Sequence, residues 1–186
     1  YTYNLPTQRP FIAMTDFALA ACNSAEVVRL KNWVDMALTT PQYDSILEDA
    51  IIIYSKAQTC GWANPQRYIN HAVSWIESFV TSEQQLIDAG SRPRISNDSY
   101  LEVGFHLQEL SLAYDWAYDL LTPAQRTRWA AYANRALHNV WDCTGNSEYW
   151  VRTNGTNMIP NPQWSCWSVN DPGNNYHFSL LKATMT

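Results

Sequence analysis

Three polar–proline pairs divide this chain into segments, and each pair is a signal for the start of a helix. They are Thr40-Pro41, Asn64-Pro65 and Thr122-Pro123. Proline at the first helical position has no N–H that needs a partner, and the polar side chain before it can cap the helix. After each pair, apolar residues recur at the three-to-four spacing of an amphipathic helix. The sequence therefore predicts helices joined by short connections.

The apolar periodicity sets approximate bounds for these helices. We predict an extended lead-in over residues 1–22 and then helices over about 24–38, 41–58, 65–79, 82–89, 99–121, 123–141 and 173–186. No segment shows convincing strand alternation, so the predicted class is all-α, built from antiparallel helical hairpins in a single domain. The helix–loop–helix rhythm of about 25 residues is typical of toroids and solenoids.

Residues 142–172 differ from the rest because they join two predicted helices through a stretch rich in asparagine, tyrosine and tryptophan. Connections longer than about 15 residues are uncommon in compact domains and are often functional or disordered. Disordered segments contain few aromatic residues. We therefore predict an ordered binding loop at 142–172.

Composition leaves two interpretations of the aromatic residues open. The chain has 9 Trp and 11 Tyr, while charged residues make up 16%, against about 25% in typical globular domains. Exposed rings and amides of this kind suit carbohydrate, because sugar C–H faces stack on rings and hydroxyls bond to amides. The other interpretation is a core built from large aromatic side chains.

Charge and hydropathy restrict the classes of partner. The net charge is −5 and no Lys/Arg run is present, which disfavours nucleic acid. No apolar run reaches the roughly 20 residues that span a bilayer. A polyanionic substrate stays open, because local arginines can outweigh a mildly acidic whole.

The cysteines and the first residues favour a secreted protein, extracellular or periplasmic. The four cysteines form no CxxC pair, which disfavours zinc, and we predict the disulfides Cys22–Cys60 and Cys143–Cys166 from the expected helix ends. The chain opens at Tyr1 without a signal peptide, as a processed protein would, although a shortened chain would look the same. Two glycosylation sequons begin at Asn97 and Asn154.

Two segments resemble one enzyme family. Trp164-Ser-Cys-Trp-Ser-Val-Asn-Asp-Pro-Gly-Asn-Asn-Tyr-His177 combines an aromatic loop with Asn-Asn and a histidine where a helix opens, and Leu112-Ala-Tyr-Asp-Trp-Ala-Tyr-Asp119 precedes it. Over residues 99–186 the chain resembles the α/α toroid domain of heparinase II/III-like and alginate-lyase-type polysaccharide lyases. One difference is that Tyr176 separates the Asn and His that are adjacent in that family.

The resemblance implies cleavage of a uronate-containing polysaccharide by β-elimination. We assign no cofactor and no metal ligand, because nothing in the sequence demands a metal, although nothing rules one out. Asn175 and His177 would stabilise the enolate that forms when the proton α to the carboxylate leaves. Tyr176 and His106 are the candidate base and acid within this chain. The family's base tyrosine usually lies further along, and the uncapped last helix suggests that the chain continues beyond residue 186.

Six further residues are candidates for binding substrate. Arg94 and Arg152 can each hold a carboxylate through two hydrogen bonds. The aromatic residues proposed to stack on sugar are Tyr149, Trp150, Trp164 and Trp167. Each candidate also has a purely structural interpretation. Asn175 would be a polar residue of the first helical turn, and His106 and His177 would belong to the core. The arginines would be surface groups, and the tryptophans would fill the centre of the toroid.

Two other functions compete with the lyase. An α/α-toroid glycoside hydrolase needs two carboxyl groups about 5–9.5 Å apart, and Glu102, Glu109, Asp115, Asp119 and Asp171 are available. A non-catalytic sugar-binding or extracellular assembly protein would keep the aromatic loop without a working base. The sequence indicates neither the polysaccharide nor the oligomeric state.

Overall fold

The computed structural model describes residues 9–10, 20–40, 46–96, 101–141, 150–153, 157–160, 163–164, 173 and 175–185. The helices are α1 (Ala25–Ala37), α2 (Leu47–Cys60), α3 (Gln66–Asp88), α4 (Leu101–Trp116), α5 (Pro123–Trp141) and α6 (Asn175–Met185), with 3-10 turns at Arg94–Ser96 and Tyr118–Leu120. The predicted all-α class is confirmed, and one short β-hairpin is added to it.

Local signals in the sequence explain where several helices begin and end. The Ser24 hydroxyl accepts a hydrogen bond from the Val27 N–H at 3.3 Å and so caps α1, whose start near residue 24 was predicted. Gly61 ends α2 with a φ of 64°, in the left-handed region that glycine adopts without strain. The Thr122-Pro123 pair likewise marks the start of α5.

Three predicted boundaries are wrong. The helix predicted from Pro41 begins at Leu47, because the backbone of Ile46 is not helical. The separate helix predicted at 82–89 is the continuation of α3, which runs unbroken to Asp88. Ser82 is compatible with this because its hydroxyl bonds to the Phe79 carbonyl within the helix. The helix predicted to reach Leu121 ends at Trp116 and tightens into the 3-10 turn, after which Leu121 is extended. Pro123 follows closely, and proline disfavours helical backbone just before it.

The predicted long loop contains the hairpin. Strand β1 (Trp150–Thr153) pairs antiparallel with β2 (Asn157–Pro160), with Val151 opposite Ile159. These strands were not predicted, because four-residue strands give too little alternation to recognise.

The chain divides into two compact units, and unit 1 comprises Tyr1–Ile76 and Ser111–Thr122. The predicted Cys22–Cys60 disulfide is present there and joins the start of α1 to the end of α2. Lys56, which is buried, donates to the carbonyl of Ala20. Apolar residues of α1, α2 and α3 fill the core of this unit, including Val27, Val34, Ile46, Leu47, Ile51, Ile53, Ile69 and Ile76.

An ionic network adds to the packing of unit 1. Asp35 on α1 accepts hydrogen bonds from Lys31 at 2.6 Å, and from Arg67 at 2.6 Å and Tyr68 at 2.8 Å on α3. Burial alone would raise the pKa of Asp35, but these hydrogen bonds and the two positive charges outweigh burial and hold the pKa below its ordinary value. The carboxylate therefore stays ionised and links α1 to α3.

Unit 2 comprises Glu77–Leu110 and Pro123–Thr186. Its core includes Phe79, Val80, Ile87, Ile95, Val103, Leu107, Trp129, Tyr132 and Trp164. Glu77 on α3 receives the indole N–H of Trp129 at 2.8 Å and forms an ion pair with Arg128, so two consecutive residues of α5 bind one carboxylate. Within the described residues of the chain, no helix has the length and apolar character needed to cross a membrane.

Candidate functional site

The contact between α4 and α6 in unit 2 is close enough to exclude a side chain. A Cβ atom at Gly104 would lie 2.5 Å from the backbone oxygen of Ser179. The Ser179 hydroxyl accepts a hydrogen bond from the Gly104 N–H at 2.9 Å. This hydrogen bond and the close approach hold the two helices together.

This contact brings together the helices that carry the two predicted catalytic histidines. His106 follows Gly104 by two residues, and His177 precedes Ser179 by two; both side chains are partly buried. Each has an exposed phenylalanine beside it, since Phe105 is 58% and Phe178 is 62% exposed. We call Phe105, His106, His177, Phe178 and Lys182 the α4–α6 cluster.

Charge and ring contacts connect the members of the α4–α6 cluster. The Lys182 ammonium lies 3.9 Å from the centre of the Phe105 ring, which is a cation–π contact between the two helices. The His177 and Phe178 rings meet edge to face at 6.0 Å. The cluster thus presents imidazole groups, exposed rings and a positive charge on adjoining helices.

His106 is held in position by an aromatic neighbour. Its ring stacks on Phe79 at 4.6 Å, and its Nδ1 lies 3.8 Å from Glu109 Oε2. The Tyr132 ring meets the edge of Phe79 at 5.8 Å, and the Arg94 guanidinium lies 5.7 Å from the Phe79 ring centre. Phe79 therefore places two predicted site residues, His106 and Arg94, around one ring.

Glu83 is the residue of this region that sequence reasoning missed. Its carboxylate, fully buried, accepts bonds from the Arg94 N–H at 3.0 Å, Arg94 Nε at 3.1 Å, the Ile95 N–H at 3.0 Å and the Tyr132 hydroxyl at 3.2 Å. Burial, and then the charge of Glu83, raise the pKa of Tyr132 well above its ordinary value, so the phenol remains a donor. A signal was present, because Glu83 interrupts the apolar stripe of Phe79, Val80 and Ile87.

Arg94 and Trp164 have structural partners that bear on their predicted roles. Arg94 donates from Nε to Glu83 and from Nη2 to Ser82. These bonds occupy that edge of the guanidinium group, which is not available to a substrate carboxylate while they persist. Trp164 is only 1% exposed. Its ring belongs to the core in this structure, which favours the packing interpretation over stacking on sugar.

The structure gives less about the remaining predicted site residues. It describes only the backbone of Asn175 and Tyr176, in the first turn of α6, and of Trp150 and Arg152, in β1. The predicted residues that lie outside the described residues are Asn97, Cys143, Tyr149, Asn154, Cys166 and Trp167.

Among the described residues, no group of three or more His, Cys, Asp or Glu side chains is arranged to hold a metal ion. Comparison with family models, with characterised proteins and with solved structures gave no match. Function is therefore inferred from the residues of this chain.

Proposed function

We propose that this chain is part of a polysaccharide lyase that cleaves uronate-containing polysaccharide by β-elimination, on an α/α toroid. The observation that carries the proposal is the Gly104–Ser179 contact, which holds the helices of His106 and His177 together. The motif resemblance selects His177 without reference to the contact, and the contact joins its helix to that of His106, the candidate acid or base.

The chemistry assigns a task to each part of the α4–α6 cluster. Tyr176 and His106 are the base and acid: one removes the proton α to the uronate carboxylate, and the other returns a proton to the leaving sugar oxygen. Asn175 and His177, near the start of α6, stabilise the developing enolate, helped by the positive end of the helix dipole. Lys182 adds positive charge for the carboxylate, and the exposed Phe105 and Phe178 rings offer stacking surfaces.

A non-catalytic carbohydrate-binding role is the second candidate. The specific observation in its favour is that Phe105 and Phe178 are both more than half exposed, because rings alone suffice to bind sugar. The hydrolase is less favoured by the described carboxylates: Asp115 is 5% exposed and forms an ion pair with Arg9 at 2.9 Å.

The proposed location is outside the cytoplasm. The Cys22–Cys60 disulfide supports it, because structural disulfides persist in oxidising compartments and are rare in the cytosol. Polysaccharide substrates of this class are met in the same compartments.

The test is to mix the protein with alginate, heparan, hyaluronan and pectate and to follow the ultraviolet absorbance of the unsaturated uronate product. We expect one substrate to give a rise that His177→Ala and His106→Ala each reduce by about 10²–10⁴-fold. His138→Ala, which removes an exposed histidine of α5, is the matched control and should leave the rate unchanged.

The outcomes separate the candidates. Binding of a polysaccharide without a rise in absorbance or release of reducing ends would favour the binding role. New reducing ends without absorbance would favour a hydrolase. Equal rates for His177→Ala, His106→Ala and His138→Ala would overturn the assignment of the α4–α6 cluster as the active site.

A further inference from the structure

Unit 1 contains a cavity of about 200 Å³ that the lyase proposal does not use. Arg9 lines it together with residues of α2, of the end of α4 and of the 3-10 turn that follows. This volume is below the roughly 300–1,000 Å³ of pockets for drug-sized ligands. The cavity therefore suits a ligand about the size of one monosaccharide.

The charge of the cavity is set by one ion pair and one further carboxylate. Arg9 Nη1 donates to Asp115 Oδ1 at 2.9 Å, and Asp115 is almost fully buried. The Arg9 guanidinium also lies 4.2 Å from the centre of the Tyr118 ring. Asp115 balances Arg9, so among the described residues of the lining the exposed Asp119 leaves one net negative charge.

The uncharged part of the lining combines rings with hydrogen-bonding groups. Tyr54, Trp116 and Tyr118 supply aromatic surface, and Gln58 supplies an exposed amide. The Tyr54 hydroxyl accepts from Gln58 Nε2 at 3.0 Å, and its own proton can be donated to a ligand oxygen. Burial raises the pKa of Tyr54, which keeps that proton in place.

We infer that this cavity binds one sugar residue that lacks a carboxylate, either neutral or carrying an amino group. Hydroxyl groups of a pyranose match the phenol, amide and carboxylate of Tyr54, Gln58 and Asp119, and its C–H faces match the rings. An anionic sugar is disfavoured by the net negative lining. The inference does not depend on β-elimination, because none of the residues of the cavity belongs to the α4–α6 cluster.

The experiment uses the intact chain labelled with ¹⁵N and follows the indole N–H signal of Trp116, identified by its loss in Trp116→Phe. Methyl glucoside, methyl galactoside, methyl mannoside, glucosamine and glucuronate are titrated separately. We expect at least one of the uncharged or amino sugars to shift the Trp116 signal. Glucuronate should bind about 2- to 5-fold more weakly than that sugar, as expected for one partly screened charge.

Two substitutions test the lining, and both change exposed side chains so that folding is preserved. Gln58→Ala should weaken sugar binding several-fold, because it removes the side-chain amide. Asp119→Asn should remove the roughly 2- to 5-fold discrimination against glucuronate, while Glu26→Gln, an exposed carboxylate in the first turn of α1, should leave it unchanged.

The inference is overturned if none of the five sugars shifts the Trp116 signal, or if glucuronate binds most tightly. It is also overturned if Asp119→Asn and Glu26→Gln give the same discrimination. These results are distinct from those of the lyase test, since the absorbance assay reports on unit 2 residues and this titration reports on unit 1.

Discussion

The two units hold their connecting segments by different means. In unit 1, the segment before α1 is joined to α2 by the Cys22–Cys60 disulfide and by the Lys56–Ala20 hydrogen bond. In the described part of unit 2, the 3-10 turn at Arg94–Ser96 is held by the buried carboxylate of Glu83. The first device is mainly covalent, whereas the second consists of hydrogen bonds to one charge.

The difference has an energetic consequence. A disulfide acts largely by restricting the unfolded chain, so its contribution does not require buried polar groups. A buried carboxylate stabilises only while its donors are in place, because the uncompensated groups that remain after its removal are costly. The 94–96 turn should therefore depend strongly on one polar side chain, whereas the segment before α1 is also held by a covalent bond.

The largest expected effect comes from Glu83→Ala. It leaves the Arg94 and Ile95 amides and the Tyr132 hydroxyl without their acceptor, and should lower the free energy of unfolding by about 3–5 kcal/mol. Urea denaturation measures this, with Gln84→Ala on the neighbouring partly exposed position as control. Equal effects of the two substitutions would remove the contrast between the units.

Next in size is the loss of the disulfide. The double replacement Cys22→Ser and Cys60→Ser opens a loop with a sequence separation of 38 residues and should cost about 2–4 kcal/mol. Hydrogen exchange should show lost protection in α1, with the amides of residues 94–96 less affected. Stability that does not change on reduction would contradict the role given to this bond.

Gly104→Ala tests the α4–α6 contact in unit 2 and should cost about 1–3 kcal/mol through overpacking against Ser179. Helix propensity alone would predict the opposite sign, a gain of up to about 1 kcal/mol. Thermal or urea unfolding distinguishes the two. A stabilised variant would show that the helices can separate without cost, and the assignment of the active site would lose its support.

The smallest expected effect concerns the ionic network of unit 1. Because the folded-state pKa of Asp35 lies below its unfolded value, the carboxylate stabilises the fold above the unfolded pKa. That contribution is lost as the pH falls through the folded pKa. Asp35→Asn should therefore cost less than about 1 kcal/mol at pH 7.

The measurement that tests this prediction is the difference in stability between wild type and Asp35→Asn as a function of pH. The free energies of unfolding of wild type and Asp35→Asn should converge as the pH falls below about 4. Asp88→Asn changes an exposed carboxylate at the C-terminal end of α3, where negative charge opposes the helix dipole, so it should not lower stability at pH 7. If the difference in free energy of unfolding between wild type and Asp35→Asn grew larger in acid, the lowered pKa of this carboxyl group would be contradicted.

Features with local causes could be predicted from the sequence. The Ser24 cap, the left-handed Gly61 and the start of α5 each depend on residues within one helical turn. The continuity of α3 past Ser82 and the early end of α4 were missed. In both places apolar spacing was compatible with more than one boundary, and backbone hydrogen bonds decided between them.

In the candidate site too, features with local causes could be predicted and long-range contacts could not. His177 was selected from a motif and His106 as a candidate acid or base, but the Gly104–Ser179 contact joins residues 75 positions apart, and nothing local in the sequence encodes it. Glu83 binds donors from the 94–96 turn and from α5, so its role could only be suspected from its place in an apolar stripe. Arg9 was assigned to an extended lead-in and its pairing with Asp115 was not foreseen.

The nature of the Gly104–Ser179 contact determines which substitutions can compensate for one another. The atom that a Cβ at position 104 would meet first is a main-chain oxygen, which every amino acid at position 179 possesses. No replacement of Ser179 can therefore make room for a larger residue at position 104. Related sequences that keep this close approach should retain glycine at 104 more strictly than serine at 179, an asymmetric pattern that an alignment could reveal without any structure.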